Sequence, residues 1–179
     1  YIDADNSIGF VSADVGIKQA IKNAKKTGIG LVAVKKSGHY GLSSFYAEQA
    51  VKKNLMVFCF TNAPPALAPH GAKKSLFGTN PISFAWPRKN NTPVAYDMAT
   101  STMAMGEVQV AARDGHKVPY GTGLNKEGEK TDDPSQIANG GVLLTFGDYK
   151  GSAIAMMIEL LAAGSVSYTH LRAHETRRY

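Results

Sequence analysis

Between Ser12 and Phe60 the chain alternates two apolar periods, and this alternation restricts the fold more than any other feature. Ile17, Ala20, Ile21 and Ala24 follow the i, i+3, i+4, i+7 spacing of one helix face, which predicts a helix over 12–26. Ser12 or Asp14 is available to cap it, and Gly28 to end it. Ile29 to Val34 then reads as a short buried strand, and Ser37-Gly38-His39-Tyr40-Gly41 as the turn after it. A second helix, capped by Ser43 or Ser44 and running to Lys53, turns Tyr46, Ala47, Ala50 and Val51 inward, and Leu55 to Phe60 is again a strand. Helix, strand, helix, strand at these lengths is the pattern of an α/β sheet.

Pro64, Pro65 and Pro69 exclude regular ladder pairing from Thr61 to Ser75, which leaves a long loop of the kind that commonly carries function. Strands are expected at Ile82 to Trp86 and Pro93 to Asp97, joined by a turn through Lys89-Asn90-Asn91-Thr92. Met103 to Arg113 reads as a helix weakened by Gly106, and Asp132-Asp133-Pro134 as the start of a short one. Val142 to Phe146 follows as a strand and Ser152 to Ala162 as a strongly apolar helix.

At 179 residues with 44% hydrophobic and 19% charged content, the chain has material for a real core. Its one cysteine, Cys59, sits in an apolar run, so no internal disulfide forms, and core filling in a reducing, cytoplasmic setting is the simpler expectation. No basic-then-apolar leader opens the chain, and Ala153 to Gly164 is too short to span a bilayer and contains Glu159; no membrane is expected. Tyr1 stands where an initiator Met would, so preceding material is expected to be missing. Residues 165–179 are expected to be a foreign tail, because 165–176 resemble a translated adaptor sequence, which leaves 1–164 as an incomplete domain. Without the three Arg and one Glu of that tail, 17 basic and 13 acidic residues leave a net charge of +4 instead of +6. The excess is scattered in pairs such as Lys25-Lys26, Lys35-Lys36, Lys52-Lys53 and Lys73-Lys74 without aromatic interleaving, which describes a solvated surface and not a nucleic-acid face.

Phe77-Gly78-Thr79-Asn80-Pro81 and Tyr96-Asp97-Met98-Ala99-Thr100-Ser101 flank apolar runs with small and polar residues, where a sheet presents backbone and short side chains to a ligand. His39 lies in a Gly-flanked turn after a strand: a surface imidazole, or one able to deliver a proton during carbonyl reduction. Asp97, with the small and hydroxyl residues Met98 to Ser101 behind it, suits a ribose or phosphate contact, and equally a strand-end Asp that caps the segment following it. Lys150, after Gly147-Asp148, sits near a helix N-terminus where a cation opposes the dipole; a bound phosphate would relieve this, and a plain surface lysine is the other reading. Gly28-Ile29-Gly30-Leu31-Val32-Ala33 matches the dinucleotide fingerprint as a string, but here the glycines close a helix and open a strand, the reverse of what a pyrophosphate site needs. His39, His70 and His116 have no ligand spacing with another His, Cys or carboxylate, so no metal is expected.

Six ordered strings together resemble the malate/L-lactate dehydrogenase family that is unrelated to the Rossmann-type enzymes. They are Ser37-Gly38-His39-Tyr40-Gly41, Thr61-Asn62 with Ala68-Pro69-His70-Gly71, Gly78-Thr79-Asn80-Pro81, Asp97-Met98-Ala99-Thr100-Ser101, Thr131-Asp132-Asp133-Pro134 and Tyr149-Lys150-Gly151. The resemblance implies a family-specific NAD(P)-binding mixed α/β sheet flanked by helices, not a Rossmann fold, working as a homodimer when full length. It implies hydride exchange between NAD or NADP and carbon 2 of a 2-hydroxy or 2-oxo acid such as malate or lactate, or of a cyclic imine in one branch. By motif, His39 would be the acid/base or substrate-contacting histidine, with Ala63, Asp97, Met98, Ala99, Thr100, Ser101 and Lys150 lining the cofactor. His39, Asp97 and Lys150 are then expected to meet at one cleft.

Phe146 to Ala155 with Glu159-Leu160-Leu161 looks closest to the piperideine/pyrroline-2-carboxylate reductase branch. Gly38 stands where the family commonly has Asn, Ala63 where a Ser is frequent, and Asp148 where Gly is usual. The family's N-terminal Ser-His-Gly region and its C-terminal part are absent, so the fragment is expected to bind cofactor poorly and not to turn over. The reading from another class is a noncatalytic basic α/β module that binds phosphorylated ligands through Lys150 and the loop around Lys73-Lys74.

Overall fold

The computed structural model describes residues 1–165, so all of the expected foreign tail beyond Ser165 lies outside the described residues. The described residues divide into two compact units, the first built from Tyr1–Phe60, Ile82–Met98 and 160–165, the second from Thr61–Pro81 and Ala99–Glu159.

In the first unit, β1 (Ile2–Asp3) pairs in parallel with β2 (Val34–Lys35), and α1 (Gly9–Thr27) runs between them. Gly28 ends α1 with φ 88°, its N–H donating to Ala24 O, a left-handed cap that glycine adopts without steric cost. The helix starts earlier than expected. Ile8 occupies the N-cap with no side-chain bond, and Ser12 lies inside the first turn with its hydroxyl on Gly9 O at 3.1 Å. The buried strand expected over 29–34 reduces to Val34–Lys35, with Ile29 81% and Leu31 82% exposed. Gly30 lies so close to α1 that a Cβ there would collide with Ala20 O, so this stretch packs along the helix and not into a ladder.

The second helix, α2 (Ser43–Val51), lies on a three-stranded antiparallel sheet of β3 (Val57–Phe60), β4 (Ile82–Trp86) and β5 (Val94–Met98), in the order β3-β4-β5. Tyr46, Ala47, Ala50 and Val51 are buried as their spacing predicts, packing with Ile17 of α1 and with Val57, Cys59 and Ala85 of the sheet. The pleat sends alternate residues to opposite faces. Away from α2, Phe58, Phe84 and Tyr96 register directly across the three strands, with ring centroids 4.8 and 5.6 Å apart.

Under α2, Cys59, Ser83 and Asp97 register in the same way. Ser83 is fully buried and its Oγ has no hydrogen-bond partner among the described residues. An unsatisfied buried hydroxyl costs about 1–3 kcal/mol. Ser83→Ala is therefore expected to raise the urea midpoint, and a lower midpoint would show that the hydroxyl is satisfied in solution.

In the second unit, β6 (Gly123–Leu124) pairs with both β7 (Lys130–Thr131) and β8 (Val142–Leu143) in a small antiparallel sheet. The strand expected over Val142 to Phe146 is thus two residues plus an isolated bridge between Ser101 and Thr145. Around it lie α3 (Met105–Asp114), α4 (Pro134–Ala138) and α5 (Tyr149–Glu159). Asp133 caps α4 by accepting from Ser135 N at 2.8 Å, with Pro134 at the first helical position, as the Asp-Asp-Pro string predicts. Leu67, Phe77, Val108, Val118, Ile137, Leu143 and Ala155 form the core, which encloses the proline-rich loop at Leu67 through bridges to Phe77 and Leu143. The apolar helix expected to Ala162 is α-helical to Glu159 and π-helical over Leu160–Gly164. No helix among the described residues is long and apolar enough to cross a membrane.

Candidate functional site

In the first unit the loop between β2 and α2 carries His39, and its backbone is tied on two sides. Gly38 N donates to Ser7 O at 3.2 Å, and the Ser37 and Ser12 hydroxyls are 2.7 Å apart, which fastens the loop to the start of α1. On the other side the Tyr40 and Ser43 hydroxyls are 2.5 Å apart, Tyr46 OH donates to Tyr40 O at 2.7 Å, and the two tyrosine rings stack at 5.4 Å. The imidazole of His39 is left exposed, edge-on to the Phe10 ring at 6.4 Å. A side chain free on a fixed backbone is what proton delivery needs.

Gly9 is a residue that the sequence did not single out. A Cβ on it would collide with Gly38 O and lie 2.5 Å from His39 O and 2.6 Å from His39 C. Only a glycine lets α1 support the loop this closely.

Asp97 is the penultimate residue of β5, before Met98, and its Oδ2 accepts from Ser44 N of α2 at 2.7 Å. The expected caps Ser43 and Ser44 do not serve α2 this way: Leu42 is the N-cap and makes no side-chain bond. Burial, reinforced by the Asp97 charge, pushes the Cys59 thiol up to about 11, and burial raises Tyr40 to about 12 against the hydrogen bond from Ser43. Moving Cys59 from its ordinary 9.0 leaves about a hundredfold less thiolate at neutral pH, so alkylation by iodoacetamide is expected to be slower than for free cysteine by about that factor. Both groups bind their protons more tightly folded than unfolded. Their contribution to stability is complete below pH 9, then falls as the unfolded thiol ionises from pH 9 and the unfolded phenol from pH 10, up to the folded values. Urea midpoints measured across this range check the sign.

The second unit draws four separate strings together. Ala63 N donates to Asn80 Oδ1 at 3.0 Å, and Gly78 is pressed so closely on Ala63 that a Cβ would collide with its carbonyl. Thr100 N and Oγ1 both donate to Thr79 O, at 2.8 and 2.9 Å. Phe146 N donates to Thr100 O at 3.1 Å, and Gly151 N to Phe146 O at 3.0 Å. A Cβ on Gly151 would be 2.7 Å from Thr100 O, so this glycine also permits a close crossing. Lys150 is exposed in the first turn of α5, beside Gly147 with φ 53°.

Thr100 and Ser101 are buried with their hydroxyls already engaged, Ser101 Oγ donating to Met103 O at 2.7 Å. The backbone of Thr100 is engaged as well, its N–H to Thr79 O and its carbonyl from Phe146 N, so of the two only Ser101 has backbone to present. Of the expected site residues, Ala63, Ala99, Thr100, Ser101 and Lys150 belong to the second unit, and His39, Asp97 and Met98 to the first. No group of three or more His, Cys, Asp or Glu among the described residues can hold a metal ion.

The model of the malate/L-lactate dehydrogenase family matches residues 1–177. The chain belongs to this family. Its sequence is 41% identical over 165 residues to the Δ1-pyrroline-2-carboxylate/Δ1-piperideine-2-carboxylate reductase of Pseudomonas putida, covering 91% of this chain and 48% of that protein. It is also 41% identical over 161 residues to the malate/(S)-sulfolactate dehydrogenase of Methanothermus fervidus, covering 90% and 47%. The Δ1-piperideine-2-carboxylate reductase structure from Pseudomonas syringae pv. tomato superposes with a TM-score of 0.86 at 40% identity, over 90% of this chain and 49% of that one. This malate/L-lactate dehydrogenase family chain therefore spans about half the length of the curated relatives it matches.

The Gly28 to Ala33 string is not a phosphate turn in this chain: Gly28 is a helix cap and Gly30 a close-packing position against α1.

Proposed function

We propose that the protein to which this chain belongs is an NAD(P)-dependent oxidoreductase acting at carbon 2 of a small 2-hydroxy or 2-oxo acid such as malate or lactate. The observation that carries the proposal is His39, exposed on a backbone fixed by bonds on both sides, in a chain of the malate/L-lactate dehydrogenase family. The residues present fit a dinucleotide. Lys150 is an exposed cation at the start of α5, suited to a phosphate, and the small residues Ala63 and Ala99, with the backbone of Ser101, leave room for close approach, while Thr100, fully buried, shapes the stretch from behind. In the first unit, Asp97 and Met98 are the residues that the family motif assigns to the cofactor, and Asp97 keeps one carboxylate oxygen beyond the bond to Ser44 N.

When bound, the nicotinamide supplies or accepts the hydride at carbon 2. His39 supplies a proton to the carbonyl oxygen during reduction and removes it from the hydroxyl during oxidation, so that 2-oxo acid, reduced cofactor and one proton balance 2-hydroxy acid and oxidised cofactor.

A cyclic imine is the second substrate reading, supported by the 41% identity to the Pseudomonas putida reductase. There the proton of His39 would go to the ring nitrogen. Both substrate types carry a carboxylate beside the reacting carbon. As the resemblance implies, we also infer a homodimer, for which the face of β3-β4-β5 away from α2 offers surface. Met56, Phe58, Trp86, Val94 and Tyr96 stand 42–56% exposed there. A cytoplasmic setting suits nicotinamide chemistry and the unpaired Cys59.

The test follows reduced-cofactor absorbance with pyruvate, oxaloacetate and Δ1-piperideine-2-carboxylate, using the whole gene product with NADH and NADPH. Turnover reduced by about 10²–10⁴ in His39→Ala is expected. Binding of phosphorylated ligands with no hydride transfer to any of the three would replace this reading with that of a noncatalytic phospholigand module.

A further inference from the structure

We infer that Asp97 is a positioning residue for the reaction, holding the His39 loop through the N-terminus of α2, in addition to any contact it makes with the cofactor. The inference rests on the reading of His39 as the proton donor. Its basis is a bond between residues 53 apart in the chain: Asp97 Oδ2 accepts from Ser44 N at 2.7 Å. The first N–H groups of a helix have no partner within it, and the residue in the N-cap position of α2, Leu42, has no side-chain oxygen to offer. A carboxylate from β5 fills that role, where it also meets the positive end of the helix dipole.

The start of α2 gives this cap its reach. Its first residue, Ser43, has its hydroxyl 2.5 Å from that of Tyr40, and Tyr46, one turn further on, donates to Tyr40 O. Tyr40 adjoins His39, so the start of α2 is the rear anchor of the imidazole's backbone. Asp97 stands next to Met98 at the end of β5. One carboxylate thus ties the end of the strand that leads into the cofactor stretch to the helix start that fixes the proton donor. Releasing it lets the loop shift without removing any group that touches the substrate. Displacements of about 1 Å are enough to cost up to a hundredfold in rate.

Three variants separate this role from direct cofactor contact. Asp97→Ala removes the acceptor and Asp97→Asn keeps an uncharged acceptor oxygen. Ser44→Pro removes the donor while leaving the carboxylate intact, in the first turn of α2, where the lost N–H had no partner within the helix. In the whole gene product, kcat is expected to fall about tenfold in Asp97→Ala and Ser44→Pro, and by less in Asp97→Asn, whose neutral oxygen still accepts from Ser44 N. The cofactor KM of Ser44→Pro is expected to stay within about twofold of wild type. Hydrogen exchange at the Gly38 to Leu42 amides is expected to accelerate in the first two variants and not in the third, whether or not substrate turns over.

Unchanged exchange in Asp97→Ala overturns the proposal, and so does a silent Ser44→Pro accompanied by a raised cofactor KM in Asp97→Asn, the signature of contact alone. Should Ser44→Pro not fold, the contrast between Asp97→Ala and Asp97→Asn decides by the same two measurements. A wild-type protein that transfers no hydride removes the reading of His39, and the exchange data then report a structural clamp alone, which overturns the positioning role as well.

Discussion

Replacing Gly9 with alanine is expected to lower kcat by about a hundredfold while the melting temperature stays close to that of the parent. Alanine is the better helix former, and Gly9 is the first residue of α1, so the substitution itself favours the helix. The difficulty lies across the contact. The new Cβ would collide with Gly38 O and sit 2.5 Å from His39 O and 2.6 Å from His39 C, all of them backbone atoms, so no side-chain rotamer relieves the clash. Either α1 or the loop has to move. Ile17 is buried in α1 against Tyr46 and Ala50, whereas Ser37, Gly38 and His39 are exposed, so the loop gives way. The imidazole then moves by a distance that matters for the proton transfer proposed for His39 but not for folding. Steady-state kinetics on the whole gene product should show the loss in kcat with little change in cofactor KM. Unaltered kcat in Gly9→Ala would remove the claim that this helix start sets the position of His39.

The elements that were legible in the sequence are those whose causes are local. The period of Ile17, Ala20, Ile21 and Ala24 and the left-handed cap at Gly28 both act within α1, and Asp133 reaches only as far as Ser135 to start α4. The hairpin of β4 and β5 was legible for the same reason, since its turn lies between its strands. Ile29 to Val34 has a strand's composition, but a strand also needs a neighbour, and the apolar run does not say whether one is present. Gly30 resting on α1 decided that stretch instead. The candidate site was legible as strings and not as connections. Gly78 to Pro81 and Asp97 to Ser101 stand out by their small and polar residues, yet nothing in them shows that Asp97 bonds Ser44, that Thr100 hangs on Thr79, or that Gly9 faces His39. Such contacts join backbone to a single partner far along the chain, and leave no periodicity to detect.

Asn80 is the clearest case of a string whose role only the structure supplies, and Asn80→Ala is expected to destabilise the protein by about 3 kcal/mol. The side chain is completely buried and uses both ends of its amide. Oδ1 accepts from Ala63 N, while Nδ2 donates to Ala155 O at 3.0 Å and to Glu159 Oε2 at 2.9 Å. Truncation leaves the Ala63 N–H without this acceptor, takes a donor from the Glu159 carboxylate, and opens a void where an amide had been. The backbone adds to the loss, because Asn80 has φ 30°, on the left-handed side that asparagine tolerates better than alanine. Asn80→Asp is isosteric and separates the causes. It preserves an acceptor for Ala63 but sets a second carboxylate against Glu159, so it should be destabilising near neutral pH and recover in part when Glu159→Gln is added. Urea unfolding followed at two pH values gives the comparison. If Asn80→Ala unfolds at the parent's midpoint, the amide is not what holds Ala63 to the end of α5, and the Ala99 to Ser101 stretch must owe its shape to the Thr79–Thr100 bonds alone.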